Sequence, residues 1–292
     1  MWQNCYAERA MRLLIDADGL IYRCGFAVEK TKYLVTDPIE NNYAVLTGCD
    51  NSRDANDFIK QTDPDSTKNL LLWSRKEFEP VENAYHLINQ VIDSMPEHDT
   101  RELWLSPSVG NFREQIAKQA KYKGNRDYAN RPKYYRELTE YLIDRFGAKY
   151  TEGQEADDEL GIRATEEGDR ALIVSFDKDL LQIPGRHYNW VTKETTEISP
   201  KDAALNFYAQ ILSGDPVDNV PGLPGIGSVK ARKILSGVVS PSDAWERVKE
   251  AYINEFGDDG IKYALETARL VYVRRKRNEL WEPPVKKRSE AA

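Results

Sequence analysis

Two short apolar runs, Arg12-Leu-Leu-Ile-Asp16 and Ala171-Leu-Ile-Val-Ser175, limit the folds open to this chain. Each is hydrophobic at consecutive rather than alternate positions, the pattern of a strand covered on both faces, and such strands belong to parallel sheets packed between helices. Leu103-Trp104-Leu105 and Tyr188-Asn-Trp-Val-Thr192 read as further strands. Val81, Tyr85, Leu87, Ile88, Val91 and Ile92 recur at helical spacing and predict a helix over 81–95. Two more helices are expected, one from Arg131-Pro132 to about Phe146 with Gly147 closing it, the other from Glu155 to Glu167 closed by Gly168. Strands alternating with helices give an α/β class with a mostly parallel central sheet flanked by helices.

After Ser199-Pro200 the remaining expected elements are helical, at about 201–213, 228–236, 242–255 and 260–277. The organisation expected is therefore an α/β core over 1–199 and a helical part over 200–292. Their boundary is soft, because acids at 215 and 218 look as if they serve the preceding sheet. Residues 36–70 are polar, rich in Asp and Asn, and carry Pro38 and Pro64; they read as an irregular insertion. No repeat recurs at the scale of 20–50 residues.

Composition excludes several classes. With 40% hydrophobic and 30% charged residues, the 292-residue chain is neither disordered nor fibrous. Cys5, Cys24 and Cys49 form no C-x-x-C pair, and His86, His98 and His187 lie far apart, which removes a disulfide scaffold and a Cys/His zinc site. No apolar run reaches the roughly 18 residues of a membrane helix, and Asp16 and Asp18 interrupt the apolar stretch of residues 1–25. A cytoplasmic location without membrane contact is expected. The net charge of −7 argues by itself against a polyanionic partner, but it averages two opposed blocks. Residues 152–179 hold ten acids and three bases, and residues 113–136 hold eight bases and two acids. A second basic run, Arg274-Arg275-Lys276-Arg277 with Lys286-Lys287-Arg288, lies near the C-terminus.

Open parallel sheets place their functional loops at the C-terminal ends of the strands. Asp16 ends the first strand, and Asp177 and Asp179 follow the strand at 171–175. Glu155, Asp157 and Asp158 open a helix, whose dipole favours them, and Asp215 and Asp218 form a pair three residues apart. Two carboxylates ~4 Å apart repel by roughly 4 kcal/mol at an effective dielectric of about 20, so convergence of these groups demands a cation. Hard oxygen donors without His or Cys select Mg2+ or Mn2+, and the excess of acids suits two ions acting on a phosphodiester.

Lys121-Tyr-Lys-Gly-Asn-Arg126 interleaves cations with an aromatic ring, as single-strand sites do, and Lys123 and Arg126 are spaced to steady one scissile phosphate. Gly222-Leu-Pro-Gly225-Ile-Gly227-Ser-Val-Lys230 puts glycines where backbone approaches a partner and then opens a helix. Ser228 and Lys230 would add side-chain contacts to a duplex backbone, without base readout.

Leu14-Ile-Asp16, Tyr122-Lys-Gly-Asn-Arg126, Glu155-Ala-Asp-Asp158, Ser175-Phe-Asp-Lys-Asp179 and Gly214-Asp-Pro-Val-Asp-Asn-Val-Pro-Gly-Leu-Pro-Gly-Ile-Gly227 together resemble the 5′ nuclease family. That family includes flap endonucleases, the 5′-nuclease domain of bacterial DNA polymerase I and small bacteriophage 5′-exonucleases, and the phage enzymes look most similar. The resemblance covers roughly residues 11–237. It implies a PIN-like (resolvase-like) sheet, a helical arch over about 113–145 that admits a free 5′ end or flap, and a helix-hairpin-helix subdomain. It implies that Asp16, Glu155, Asp157, Asp158, Asp177, Asp179, Asp215 and Asp218 hold two divalent ions, directly or through water. Lys123 and Arg126 would be the active-site cations, with Tyr122 stacking on DNA. Arg113, Arg131, Lys133 and Arg136 of the arch, and Gly225, Gly227, Ser228 and Lys230 of the hairpin, would contact DNA, with K+ held by carbonyls of the loop 222–227. The expected partners are DNA with a 5′ end, flap or nick, and replication proteins, for a monomer in a bacterial host if phage-encoded.

One departure stands out. Where the family carries another metal-binding Asp after the second strand, this chain reads Leu105-Ser106-Pro107-Ser108, leaving Asp18 or a water to compensate. Two rivals stay open at this point: a non-catalytic DNA-junction binder that exploits the lost acid at Ser106, and a PIN-like ribonuclease.

Overall fold

A computed structural model describes residues 11–39, 42–127 and 130–284. Cys5 and the basic Lys286, Lys287 and Arg288 lie outside the described residues, as do Glu40 and Asn41 of the expected insertion and Tyr128 and Ala129 of the expected arch. The chain divides into two compact units. The first comprises 1–19, 94–130 and 142–292, the second 20–93 and 131–141.

The first unit is built on a six-stranded sheet. Its strands are β1 (Arg12–Asp16), β5 (Thr100–Leu105), β6 (Lys149–Tyr150), β7 (Ala171–Val174), β8 (Gly185–Asn189) and β9 (Glu194–Ile198), in the order β6-β5-β1-β7-β8-β9. All neighbours are parallel except the β8–β9 hairpin. Leu13, Leu14 and Ile15 in β1 and Val174 in β7 are wholly buried, as consecutive hydrophobicity demands of central strands. The strand expected at 188–192 begins three residues earlier and turns at Trp190, so that β8 can pair with the exposed edge strand β9.

Helix α6 (Ala156–Glu167) starts at a reciprocal cap, Glu155 with Asp158, and ends at Gly168, whose φ of +59° is open to glycine. The helices α7 (Pro200–Ser213), α8 (Ser228–Ile234), α9 (Pro241–Phe256) and α10 (Gly260–Val271) follow. They enclose an apolar cluster that includes Phe207, Tyr208, Leu212, Val220, Leu223, Trp245, Tyr252 and Trp281. The boundary expected near residue 200 does not divide compact units, since these helices belong to the same unit as the sheet. Helix α10 stops at Val271, six residues short of expectation, because the backbone turns to extended geometry at Tyr272, and Val273 is buried in the cluster with residues of β1 and β7.

The second unit corrects the expectation for 36–70. Strands β2 (Glu29–Ile39), β3 (Asn42–Cys49) and β4 (Leu71–Phe78) form an antiparallel sheet in the order β3-β2-β4, and α2 (Ser52–Thr62) packs on β2 and β3. Among the described residues, this sheet and α2 bury little beyond Val35, Thr36 and Ala55, and β4 is exposed almost throughout. The hydrophobic periodicity that marks a strand is therefore missing from its sequence. Helix α1 (Ala17–Ala27) precedes this sheet in the chain, and α3 (Val81–Asp93), which follows it, falls within the expected span.

The segment 113–145, expected as a helical arch, holds two separate helices among its described residues. Helix α4 (Arg113–Ile116) has a single turn, α5 (Tyr135–Phe146) begins at Tyr135, and the basic residues between them run through turns.

Candidate active site

Parallel neighbours β1 and β7 end side by side, which brings Asp16 next to Ser175. Asp16 Oδ2 accepts the Ser175 hydroxyl at 2.9 Å and Oδ1 accepts the Gly19 amide at 3.3 Å. The Ser175 hydroxyl oxygen in turn accepts the Asp177 amide at 3.0 Å, and Asp177 Oδ1 accepts the Asp179 amide at 2.9 Å. One serine thus couples two acids across the strand ends. Asp215 folds its own loop, taking the Val217 amide at 2.9 Å inside a tight Asp215–Val220 bridge.

Electrostatics link the carboxylates into one group. Burial pushes the Asp16 pKa up to about 7, and the charges of Asp18 and Asp177 push the same way. Asp179 also rises to about 7, through burial and then the neighbouring Asp177 and Asp215. Asp157 is raised by burial and by Asp16, Asp177 and Glu155, and Asp177 by burial and by Asp215 and Asp218. Acids from four separate segments therefore repel one another at the strand ends. Among the described residues, no three His, Cys, Asp or Glu side chains already form a cage closed enough to hold a metal.

The cations of the basic segment stand against two of these acids. Lys123, in left-handed backbone at φ +53°, forms ion pairs with Glu155 and, at 3.5 Å, with Asp218; Arg126 pairs with Asp218. Burial disfavours the charged form of Glu155, but Lys123 and Arg113 overcome it and hold its pKa at about 2. The segment is tied down by backbone as well. The Lys123 amide donates to Asp218 O at 2.8 Å, Asn219 donates to Lys121 O at 2.9 Å, and Glu266 accepts the Lys118 and Gln119 amides at 2.6 and 2.7 Å.

Three expected roles change. Arg113 does not face solvent: it is 3% exposed and grips the fully buried Asp158 through two bonds, of 2.6 and 2.9 Å. Asp158 is accordingly not a free metal donor, since it also accepts the amides of Arg274 at 3.0 Å and Glu155 at 3.1 Å. It locks the backbone that carries Glu155. Tyr122 is not available to stack on a base. Its ring belongs to the apolar cluster of the helices, and its hydroxyl bridges Glu155 Oε2 at 3.0 Å and Asp218 Oδ2 at 2.8 Å.

Ser106 takes no acid's place, yet its backbone fixes one. The Ser106 amide donates to Asp18 Oδ2 at 3.0 Å, and its hydroxyl accepts the Ala156 amide at 3.0 Å. Burial raises the pKa of Asp18, the Ser106 bonds lower it, and Asp18 interacts with Lys123 and Glu155. The three arginines of the basic run at 274–277 bond internally: Arg274 bonds Gln154 and Glu279 O, Arg275 bonds Gln182 O, and Arg277 pairs with Glu159 at 2.8 Å.

The loop joining α7 to α8 is a tight hairpin. Gly214, at φ +67°, packs so closely on Gly222 that a Cβ on Gly214 would lie 2.4 Å from Gly222 N. Gly225 has φ +69°, Gly227 precedes the first turn of α8, and Ser228 is exposed. Lys230 Nζ donates to Gly225 O at 2.9 Å, taking a carbonyl of the loop expected to hold K+. In the second unit, Arg131 lies 4.4 Å over the Tyr135 ring, Lys133 4.2 Å over the Phe78 ring, and exposed Arg136 pairs with Glu140 at 2.8 Å.

The mostly parallel central sheet flanked by helices is a fold this chain shares with solved 5′-exonuclease structures. The structure matches that of phage T5 5′-exonuclease with bound zinc at a TM-score of 0.54 and 19% identity, over 90% of this chain and 89% of that one. A flap endonuclease of bacteriophage T5, in a complex with DNA and metal ions, matches at a TM-score of 0.50 and 20% identity over 65% of this chain and 79% of that one. In sequence the chain resembles the same family. It is 29% identical to the exodeoxyribonuclease of Enterobacteria phage T3 over 150 residues, 46% of this chain and 49% of that enzyme. It is 35% identical to a 5′-3′ exonuclease of Mycobacterium tuberculosis over 118 residues, 32% of this chain and 37% of that enzyme. DNA polymerase I of Pseudomonas aeruginosa is 36% identical over 102 residues, 30% of this chain but 11% of the polymerase. The chain therefore spans half or less of the length of these curated relatives. No family model matches it.

Proposed function

We propose that this protein is a divalent-metal-dependent 5′ nuclease that hydrolyses phosphodiesters at the 5′ ends or flaps of duplex DNA, in replication or repair. The observation that carries this reading is the electrostatic coupling of Asp16, Asp157, Asp177, Asp179, Asp215 and Asp218, an all-oxygen set of like charges from separate segments. Such a set fits Mg2+ or Mn2+, with Asp16, Asp18, Glu155 and Asp157 around one ion and Asp177, Asp179, Asp215 and Asp218 around another. Two ions there would supply charge to polarise the phosphodiester and activate water. Asp18, fixed by Ser106, replaces the acid the family carries after its second strand.

The chain's own residues do the rest. Ser175 orients Asp16 and the backbone of Asp177, and Asp158 with Arg113 fixes the start of α6 and thereby Glu155. Lys123 and Arg126 exchange their carboxylate partners for a phosphate oxygen when the substrate arrives, holding it as negative charge grows. The hairpin at 222–230, with Gly225, Gly227, Ser228 and Lys230, grips the duplex backbone, and Arg131, Lys133 and Arg136 supply further phosphate contacts. The protein acts as a monomer.

The test is a 5′-labelled DNA flap incubated with Mg2+ and with a chelator, beside the same flap made of RNA. Short 5′ products from DNA in Mg2+ alone are expected. Binding without cleavage would indicate the junction binder, and preferential cutting of RNA the ribonuclease.

A further inference from the structure

One large apolar side chain stands among the acids at the strand ends. Phe176 sits between Ser175 and Asp177 and is 39% exposed. It is held, not loose. Its ring meets that of Trp190 edge to face, with centroids 5.2 Å apart and planes at 74°, and Trp190 itself is buried at 6% exposure. The Phe176 ring also reaches Gly19, where a Cβ would lie 3.1 Å from Phe176 Cε1 and 3.2 Å from Asp16 Oδ2. Ring and carboxylate thus meet at one point, where a side chain in place of Gly19 would press on both. The backbone on either side of Phe176 is pinned by the serine that joins Asp16 to Asp177.

A phenyl ring exposed to water is unfavourable, and fixing it beside a cluster of anions makes that spot suited to a flat, uncharged partner. We propose that Phe176, backed by Trp190, is a stacking platform for the unpaired nucleobase adjoining the phosphodiester bound at Asp16 and Asp177. The inference rests on the nuclease reading above and names the form of its substrate. A base has a π-face whatever its identity, so the platform is tolerant of sequence. A base within a duplex has both faces covered by its neighbours. The platform therefore favours a base on the single-stranded side of a junction over one in the duplex interior, and takes the stacking role that buried Tyr122 cannot fill.

The test compares two DNA flaps, one intact and one abasic at the nucleotide adjoining the cleavage site, that site being mapped first with the wild-type protein in Mg2+. Affinities are measured in Ca2+ for the wild type, Phe176→Leu, which keeps apolar bulk beside Trp190, and Phe176→Tyr, which keeps the ring. The wild type and Phe176→Tyr are expected to prefer the intact flap by about tenfold, whereas Phe176→Leu binds both alike. Equal binding of the two flaps by the wild type, or undiminished preference in Phe176→Leu, overturns the platform while cleavage in Mg2+ leaves the nuclease reading standing. A wild-type protein that neither cuts nor binds the intact flap overturns both.

Discussion

Arg113 and Asp158 lie 45 residues apart in the chain and form a buried bidentate ion pair, so charge at these two positions serves the fold first. Asp158→Asn leaves the buried guanidinium with Glu155, 3.6 Å away, as its remaining counter-charge and breaks its bidentate grip, and the expected loss is about 3 kcal/mol, read as a lower denaturant midpoint. Asp177→Asn is expected to differ in kind. Its amide oxygen still accepts the Asp179 amide, so the midpoint stays near that of the wild type, while flap cleavage falls about a hundredfold or more. Equal midpoints for the two variants would return Asp158 to the metal set. The acids also set a pH dependence. Asp16 and Asp179, raised from 3.8 to about 7, bind protons in the folded chain that the unfolded chain has already lost. Their contribution to stability therefore falls as pH rises from about 4 through 7. Glu155, lowered from 4.5 to about 2, works the other way: its contribution is present above about 4.5 and is lost as pH falls toward 2. In chelator the thermal midpoint is expected to decline between about pH 5 and 8, and added Mg2+ to raise it more at the upper end. A Mg2+ effect that does not grow with pH would separate these acids from the cation.

At the scale of elements, legibility followed locality. Strands β1 and β7 and helix α6 announce themselves through apolar runs, a cap and a closing glycine, all within a dozen residues. The carboxylates could be named from their places at strand ends and helix starts for the same reason. What the sequence hid was pairing between distant segments. Nothing near Arg113 marks it as the partner of Asp158, and nothing near Tyr122 says that the loop at 215–219 will cover it. The second sheet was hidden for a different reason, since strands exposed on both faces lack the alternation that reveals them. The hairpin between α7 and α8 was visible through its glycines, and its tightness gives a prediction. Gly214→Ala places a Cβ in left-handed backbone and within 2.4 Å of Gly222 N and Val220 O. The loop must shift, costing about 1–3 kcal/mol and displacing Asp215 and Asp218 together. Both the unfolding midpoint and cleavage should drop; loss of neither would show that the loop relaxes freely.

For the molecule as a whole, net charge is a poor guide to partners. Of the basic residues that offset its acids, Arg113, Arg274, Arg275 and Arg277 are spent on bonds away from the strand ends, whereas Lys123, Arg126 and Lys178 act on the acidic cluster itself. The three-stranded sheet of the second unit has a further consequence. Its first and last strands run side by side, with Glu29 paired to Phe78 and the Glu79 amide donating to Val28 O at 2.9 Å. The chain thus enters and leaves this sheet through a single doorway about one strand spacing wide. Joining residues 30 and 77 through an Asn-Gly turn is expected to yield a shorter protein that still folds and still cuts a flap. The same doorway makes the segment an exchangeable cassette: a lineage could swap its contents for another self-closing motif without renegotiating the chemistry at the strand ends.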